Sequence, residues 1–568
     1  MSNSFNQLLD QLDELKSRFG SGEDQTIERI LAQLSNKKLA DIEALISFHE
    51  ILIFLIAYPQ SARIRQLAEA QLRTFASRVD ALRAADQDLS AFDDPEVSGV
   101  AGASVSDTFS YYIVRWLLAR YPAQIEFDWD WFNDENRLAE TWPRFMPLLD
   151  EDAAVEANVP YQTWLAAATG RKRALPWLLK QFASLARSEK EIVELYDSQN
   201  LFVKWVPAYP RTRTGMRLPF KRRTFYHRDP LIQRREVSLS DELRKRDAPV
   251  MKSLSLTQGE AIIDLARAAS TLRYRELYGF THGDPAKVMH TDIGRGVDIF
   301  VFGLPPTRRL PLRAYHAAMI FKNRVPVGYF EGLSLFERME SGFNLYYTFR
   351  DSETAWLYAH TLNIFHRLLG VSVFTLDPYQ IGYENEEGIE SGAFWFYRKL
   401  GFRSVNPELM KLTTAEEKKI AGRKGYRTSA RTLRRLAESP MVFELQREHT
   451  GDWDRFQLRN IGLAAQRRMA AGYDGDRARF SNDAVKRLRQ ALEIDDGSWP
   501  QSARAALNDF AITTSLIEDL PRWSAAEKRS LLKIIRAKAT DESRYLKLMQ
   551  NHARLRLALL KLGNDPRH

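Results

Sequence analysis

Apolar positions in the first 200 residues recur at helical spacing. Leu8, Leu9, Leu12 and Leu15 make one stripe, and Ile27, Ile30, Leu31 and Leu34 make a second. The period continues over 41–58, 62–85, 106–121 and 164–186, broken by polar or Pro-containing joints, with no fixed repeat length. An α-helical domain over 1–200 is therefore predicted, with His49 as a core or boundary residue. From 201 to 254 the periodicity lapses into an aromatic, Pro-containing and basic linker or strap.

Past 255 the pattern alternates between periods. Thr257-Gln258-Gly259-Glu260 reads as a capping box opening a helix with Ile262, Ile263, Leu265 and Leu272 on its apolar side. A strand is predicted at 296–303, and a hairpin at 315–321 and 325–332 turning through Lys322-Asn323-Arg324. The run 344–349 is aromatic and suits a strand, with Asp351 or Ser352 placed to cap the helix 355–369 that Gly370 ends. A strand at 371–376 and a short aromatic helix at 393–400 follow, giving strand, helix, strand, helix, a right-handed crossover unit. Strands are expected again at 403–405 and 441–445. Between them a helical insertion spans 413–438, with Thr414-Ala415-Glu416-Glu417 as its capping box. Helices resume over 448–568 as a C-terminal domain or a brace returning to the first one. The domains expected are thus 1–200, 201–254, 255–447 and 448–568.

Composition narrows the chemistry. A chain of 568 residues with 44% hydrophobic content exceeds one ordinary core. It has no cysteine, which excludes disulfides, thiolate catalysis and Cys-ligated zinc and makes the cytoplasm the expected location. Residues 1–6 carry no cationic or apolar leader pattern, and the greasiest run, 51–58, is too short to span a bilayer, so no membrane partner is expected. The net charge of +9 is compatible with an anionic ligand without naming one. Nine of its cations crowd Arg211 to Arg235, with Asp229 the only acid before Glu236. A strap on acidic helices ranks ahead of RNA contact there, with the CoA 3′-phosphate a third option. His282, His290, Asp284 and Asp292 lack a defined ligand spacing, so no metal is expected.

Ala393-Phe394-Trp395-Phe396-Tyr397-Arg398-Lys399-Leu400-Gly401-Phe402 resembles the A-x-x-x-Y-x-x-x-G-F pattern that ends the last core helix of GNAT-type N-acyltransferases. The resemblance covers roughly 257–446. It implies an α+β multidomain chain with a central GNAT-like mixed sheet, helices on both its faces, and all-α flanks. It implies acetyl-CoA or another acyl-CoA as co-substrate, held by Phe349, Arg350, Ser352, Glu353, Thr354 and Ala355. There Arg350 and Ala355 fit the family's cofactor loop, and Glu353 stands where its first glycine belongs. Tyr397 takes the family's general-acid position. Glu331 leads the carboxylates considered as base, ahead of Glu384 and of Glu390, which occupies a frequent asparagine position. Tyr274, Glu276, His282 and Asp284 border the acceptor site by position alone.

The leading expectation is thus an acyl-CoA-dependent N-acyltransferase acting on an unidentified, macromolecular or otherwise large acceptor, a protein among the options. One alternative is an aminoacyl-tRNA-dependent or other non-CoA acyl transferase on the same fold. Another is a non-catalytic interaction protein with an inactive core.

Overall fold

A computed structural model describes residues 5–565 except 21, 36, 38–40, 132–136, 150–151, 154–159, 171–173, 246–249 and 447–449. The expectation of no leader rests partly on 1–4, outside the described residues, as does the boundary at 447.

The molecule is organised around a nine-stranded mixed sheet, ordered β11-β12-β10-β9-β8-β7-β6-β5-β4. Its strands are β4 (Lys252–Ser253), β5 (Met289–Asp292), β6 (Val297–Phe302), β7 (Ala314–Lys322), β8 (Val325–Leu335), β9 (Arg338–Leu345), β10 (Val373–Leu376), β11 (Arg403–Ser404) and β12 (Met441–Glu444). Neighbours from β4 to β9 pair antiparallel. β9 and β10, joined by the crossover helix Thr354–Leu369, pair parallel. β12 inserts antiparallel between β10 and β11.

Alternation along β6 and β7 assigns the two faces. Val297, Ile299, Val301, Ala318 and Ile320 join a core shared with the crossover helix, the helices of 5–84 and those of 458–563. Phe300, Phe302, Tyr315, Ala317, Met319 and Phe321 join a second core with Leu256–Thr271 and with residues from 105–218. The central strands are covered on both sides, which is why their inside–outside alternation is weak in the sequence.

The first 200 residues are not wholly helical. β1 (Val105–Asp107) and β2 (Ile125–Phe127) flank β3 (Val203–Trp205) in a small antiparallel sheet. Three-residue strands are too short for periodicity to reveal. Three boundaries also move. The cap of Leu256–Thr271 is Ser255, boxed with Gln258, and not Thr257. The basic insertion begins at Asn406, cap of Pro407–Gly422, with Thr414 in its interior bonding the Met410 carbonyl at 3.0 Å. The strand expected at 344–349 is β9, ending at Leu345, and Tyr347–Phe349 is a 3-10 turn. Ser524 boxes with Glu527, Gly370 ends the crossover helix in the left-handed region, and Asn323 and Arg324 turn the β7–β8 hairpin at φ 45° and 73°. Positive φ at both central residues is what a two-residue hairpin needs.

Candidate functional site on the β8–β9 face

In β8, Phe330, Gly332 and Ser334 turn into the core, while Tyr329, Glu331 and Leu333 are half-buried on the opposite face. Across the ladder Tyr329 faces Asn344, Glu331 faces Gly342, and Leu333 faces Glu340. Gly342 carries no side chain, and a Cβ there would find its nearest atom, Gln380 Nε2, only at 3.8 Å. The Gln380 side chain therefore lies at ordinary van der Waals distance from this glycine position, and Glu331 across the ladder is half-buried. Mid-strand glycines mark such close approaches, and this one was a signal available in the sequence.

Glu331 accepts a hydrogen bond from the Tyr315 hydroxyl on β7, and that hydroxyl accepts the Gly279 N–H at 3.0 Å. Burial raises the Glu331 carboxyl above its ordinary range, with Tyr315 opposing. The rim is charged. Arg275 reaches the Tyr329 hydroxyl at 3.2 Å and Glu96 at 3.1 Å, Glu96 meets Arg350 at 3.5 Å, and Arg350 pairs with Glu387. Arg273, buried, lies 3.6 Å over the Tyr346 ring. A desolvated carboxylate held by a fixed donor can act as a general base.

β9 and β10 pair only through Arg338–Val373, Met339–Phe374 and Glu340–Thr375. β9 runs on to Leu345, whereas β10 ends at Leu376. From Ser341 onward the two strands carry no ladder bonds between them. Tyr358 of the crossover helix, buried, fills the space beside β9 there, with its hydroxyl 3.2 Å from Ser341 Oγ and its ring 5.0 Å from Phe343.

Tyr397 packs on Tyr358 and Phe402, at ring distances of 5.5 and 5.8 Å, and is 4% exposed. Burial alone pushes its phenol up. Because Tyr358 contacts Ser341 and Phe343, which alternate with Gly342, Tyr397 and Glu331 lie on opposite faces of β9. Glu390 is exposed at the end of the helix Glu386–Glu390, and Glu384 is exposed beside it.

The loop 349–355 turns inward. Phe349, Glu353 and Ala355 are buried. Glu353 pairs with Arg295 at 2.5 Å and Lys322 at 3.2 Å, and its backbone hydrogen-bonds Tyr58. Burial holds Lys322 down at about 8, with Glu353 opposing. Ser352 donates to the Phe349 carbonyl at 2.6 Å and accepts from Tyr58 at 3.0 Å, and Thr354 bonds the Arg350 carbonyl at 2.6 Å. The expected cap at Asp351 or Ser352 is not made: Glu353 is the first flanking residue, with no side-chain cap bond. The start of this helix is therefore occupied by protein groups.

The acceptor-side candidates are not gathered at Glu331. Glu276 accepts the Ser110 N–H at 2.8 Å, Tyr274 bonds the Ser106 backbone, and Asp284 caps the turn Pro285–Lys287. His282 lies between Tyr112 and Tyr278, at 4.8 and 4.7 Å, and burial pushes it down to about 4. Their chain neighbours make the links to the site: Arg275 to Tyr329, the Gly279 N–H to Tyr315, and Tyr278 at 5.5 Å from the Tyr315 ring. Among the described residues no group of three or more His, Asp and Glu side chains is arranged as a metal-ligand set, and no helix is long and apolar enough to cross a membrane.

The basic segment 211–235 behaves as a strap. Arg213 pairs with Glu50 at 2.9 Å, Arg222 with Asp298 at 2.8 Å, and His227 is enclosed by Phe19, Tyr58 and Phe225. Asn323 at the hairpin tip accepts from Phe225 N–H at 2.8 Å and donates to the Phe225 and Ala57 carbonyls. The pairing of Arg213 and Arg222 was invisible in the sequence because their partners lie far along the chain.

No protein-family model matches the chain, and no curated protein or solved structure matches it either.

Proposed function

We propose that the chain is an acyltransferase that moves an activated acyl group onto an amine, on a GNAT-like core. The observation carrying this reading is the parallel β9–β10 pair, whose ladder stops at Glu340 and Thr375, with β12 inserted between β10 and β11. A GNAT-type enzyme admits its acyl donor between the two strands at that point, which the buried Tyr358 side chain occupies here. The donor expected from the resemblance is acetyl-CoA or another acyl-CoA, its acyl end passing Ser341 toward the face that carries Glu331. The acceptor ammonium loses a proton to Glu331, the amine nitrogen attacks the acyl carbon, the bond to the leaving group breaks, and the nitrogen sheds its second proton as the amide forms. The leaving thiolate takes a proton, for which Tyr397 is the candidate donor, and the proton shed by the nitrogen restores that phenol. A backbone N–H on the unladdered edge of β9 would polarise the acyl carbonyl.

A second reading keeps this chemistry and changes the donor. Glu353, with its two cations and Tyr58, fills the helix start at which a pyrophosphate would bind. That favours a donor anchored elsewhere, such as an aminoacyl-tRNA. Calorimetric titration with CoA and acetyl-CoA separates the two. Micromolar binding supports the first reading. A folded protein that ignores both ligands yet transfers from aminoacyl-tRNA supports the second.

A further inference from the structure

The strongest concentration of unpartnered charge lies in the insertion between β11 and β12. It folds as a helical hairpin, Pro407–Gly422 and Ala430–Leu436, joined by a turn. Between Glu417 and Glu438 the sequence holds eight Lys and Arg residues and no acid. Lys419 pairs with Glu416 and Arg434 with Glu386, both at 2.7 Å. The other six, Lys418, Arg423, Lys424, Arg427, Arg431 and Arg435, are exposed, and none has a carboxylate partner among the described residues.

The scaffold beneath them is fixed. Leu409, Leu433 and Leu436 are buried. Glu416, 1% exposed, accepts from the Tyr426 hydroxyl at 2.9 Å and pins the turn to the first helix. Arg398 pairs with Glu417 at 2.8 Å, and Trp395 Nε1 donates to Thr428 at 3.1 Å. Those contacts seat the hairpin on Glu386–Glu390 and Ala393–Arg398, the two helices that follow β10.

Six exposed cations within one 30-residue hairpin, from Lys418 to Arg435, repel each other unless an anion neutralises them, and an extended polyanion can meet more of them at once than one small ion. None of the large apolar side chains that are strongly exposed lies in this hairpin. A membrane-surface helix would present such residues, so charge without an apolar face favours a hydrated phosphodiester chain over a bilayer. We propose that the 407–436 hairpin docks the phosphate backbone of a nucleic acid, and that the strap at 211–235 does not. This goes beyond the acyl-transfer reading and stands without it, although an RNA-borne donor would arrive beside β10.

The test is titration of the full chain with bulk tRNA and with duplex DNA, by fluorescence anisotropy at two salt concentrations, and with phosphatidylserine-containing vesicles by co-sedimentation, against an R423A/K424A/R427A variant. A second variant, K221A/R223A/R228A, removes exposed strap cations. All six positions are exposed, and an unchanged thermal midpoint checks each fold. Binding of either nucleic acid supports the proposal, and the pair identifies the source. The hairpin variant should bind at least about 10-fold more weakly at low salt. Its log K against log salt should flatten by about 0.7–0.9 for each phosphate no longer neutralised, while the strap variant stays within about 2-fold of wild type. The proposal is overturned if neither nucleic acid binds at low salt, if the hairpin variant binds like wild type, or if only anionic vesicles bind.

Discussion

In the proposed acyl transfer, Glu331 is the residue that takes the proton. Its neighbours are a hydroxyl and a glycine, so removing its charge changes little packing. E331Q should keep the fold and lower amine acylation by about 10²–10⁴-fold, the usual span of a general base. Because burial raises its pKa, the wild-type rate should fall as pH drops through that raised value, and the acid limb should vanish in E331Q. Buried charge also sets acid stability. Burial pushes Glu50 up, but Arg213, His49 and Thr348 outweigh it and hold the carboxyl at about 2, against an ordinary 4.5. A depressed carboxylate stabilises the fold above its unfolded pKa and loses that contribution as pH falls toward 2. Here that amounts to about 3 kcal/mol. His227 adds to the same slope from higher pH. Burial first, then Lys322 and Arg295, push it down to about 2, and neither ring nitrogen has a partner. It folds neutral, so stability declines as pH falls below its ordinary 6.5. Chemical denaturation from pH 7 to pH 4 should show a steady decline in wild type. H227F, which removes two unpartnered buried nitrogens from an aromatic cage, should flatten the upper part of that decline.

At the scale of elements, the β7–β8 hairpin and the crossover helix carry the site, and both ends of this unit are pinned. Asn323 supplies a left-handed turn residue together with hydrogen bonds to the strap and to the helix Ile42–Ala57. Its replacement by Ala should cost about 2–4 kcal/mol, measured by urea unfolding, since two carbonyls and an N–H lose their partner. At the other end Gly370 has φ 77°, and a Cβ there would come within 2.6 Å of Gln550 Oε1. Much of this was legible in sequence: the hairpin from its turn residues, the crossover helix from its period and its glycine stop, and β10 from its apolar run. The site itself was harder to read. Glu331 drew attention as a carboxylate on an inner strand, but Tyr315, Gly342 and Arg275 did not, because strand pairing and a long loop bring them to it. Glu353 was named by its place in the cofactor loop of the resemblance, where it replaces a glycine. Its partners, Arg295 in the β5–β6 turn and Lys322 on β7, were not legible because the sheet brings them to it.

Across the whole molecule, the C-terminal helices are a brace for the sheet. Arg556 pairs with Glu337 at 2.5 Å in the β8–β9 turn, and Trp453 Nε1 donates to the same carboxylate at 2.7 Å. Lys538 donates to the Arg313 carbonyl at 2.8 Å ahead of β7. Tyr545, Leu546 and Met549 complete the core on that face. A chain ending at 446 would expose this surface, and it should be insoluble or melt well below the full chain in calorimetry. R556A, which strands a half-buried carboxylate at the turn, should cost about 3 kcal/mol. The N-terminal helices close the opposite end of the same core through Tyr58 and the strap. The β8–β9 face is thus held from three sides by segments far apart in sequence, and periodicity alone could not assign those segments to one core.

The central claim is that this face transfers an acyl group to an amine with Glu331 as base. The most direct measurement is transfer of radiolabelled acyl groups to an amine mixture, with acetyl-CoA and aminoacyl-tRNA each offered as donor to wild type and E331Q. Labelled amide from one donor with wild type, and at least about 10²-fold less with E331Q, is the expected result. No labelled amide from either donor, or equal transfer by both proteins, would contradict it.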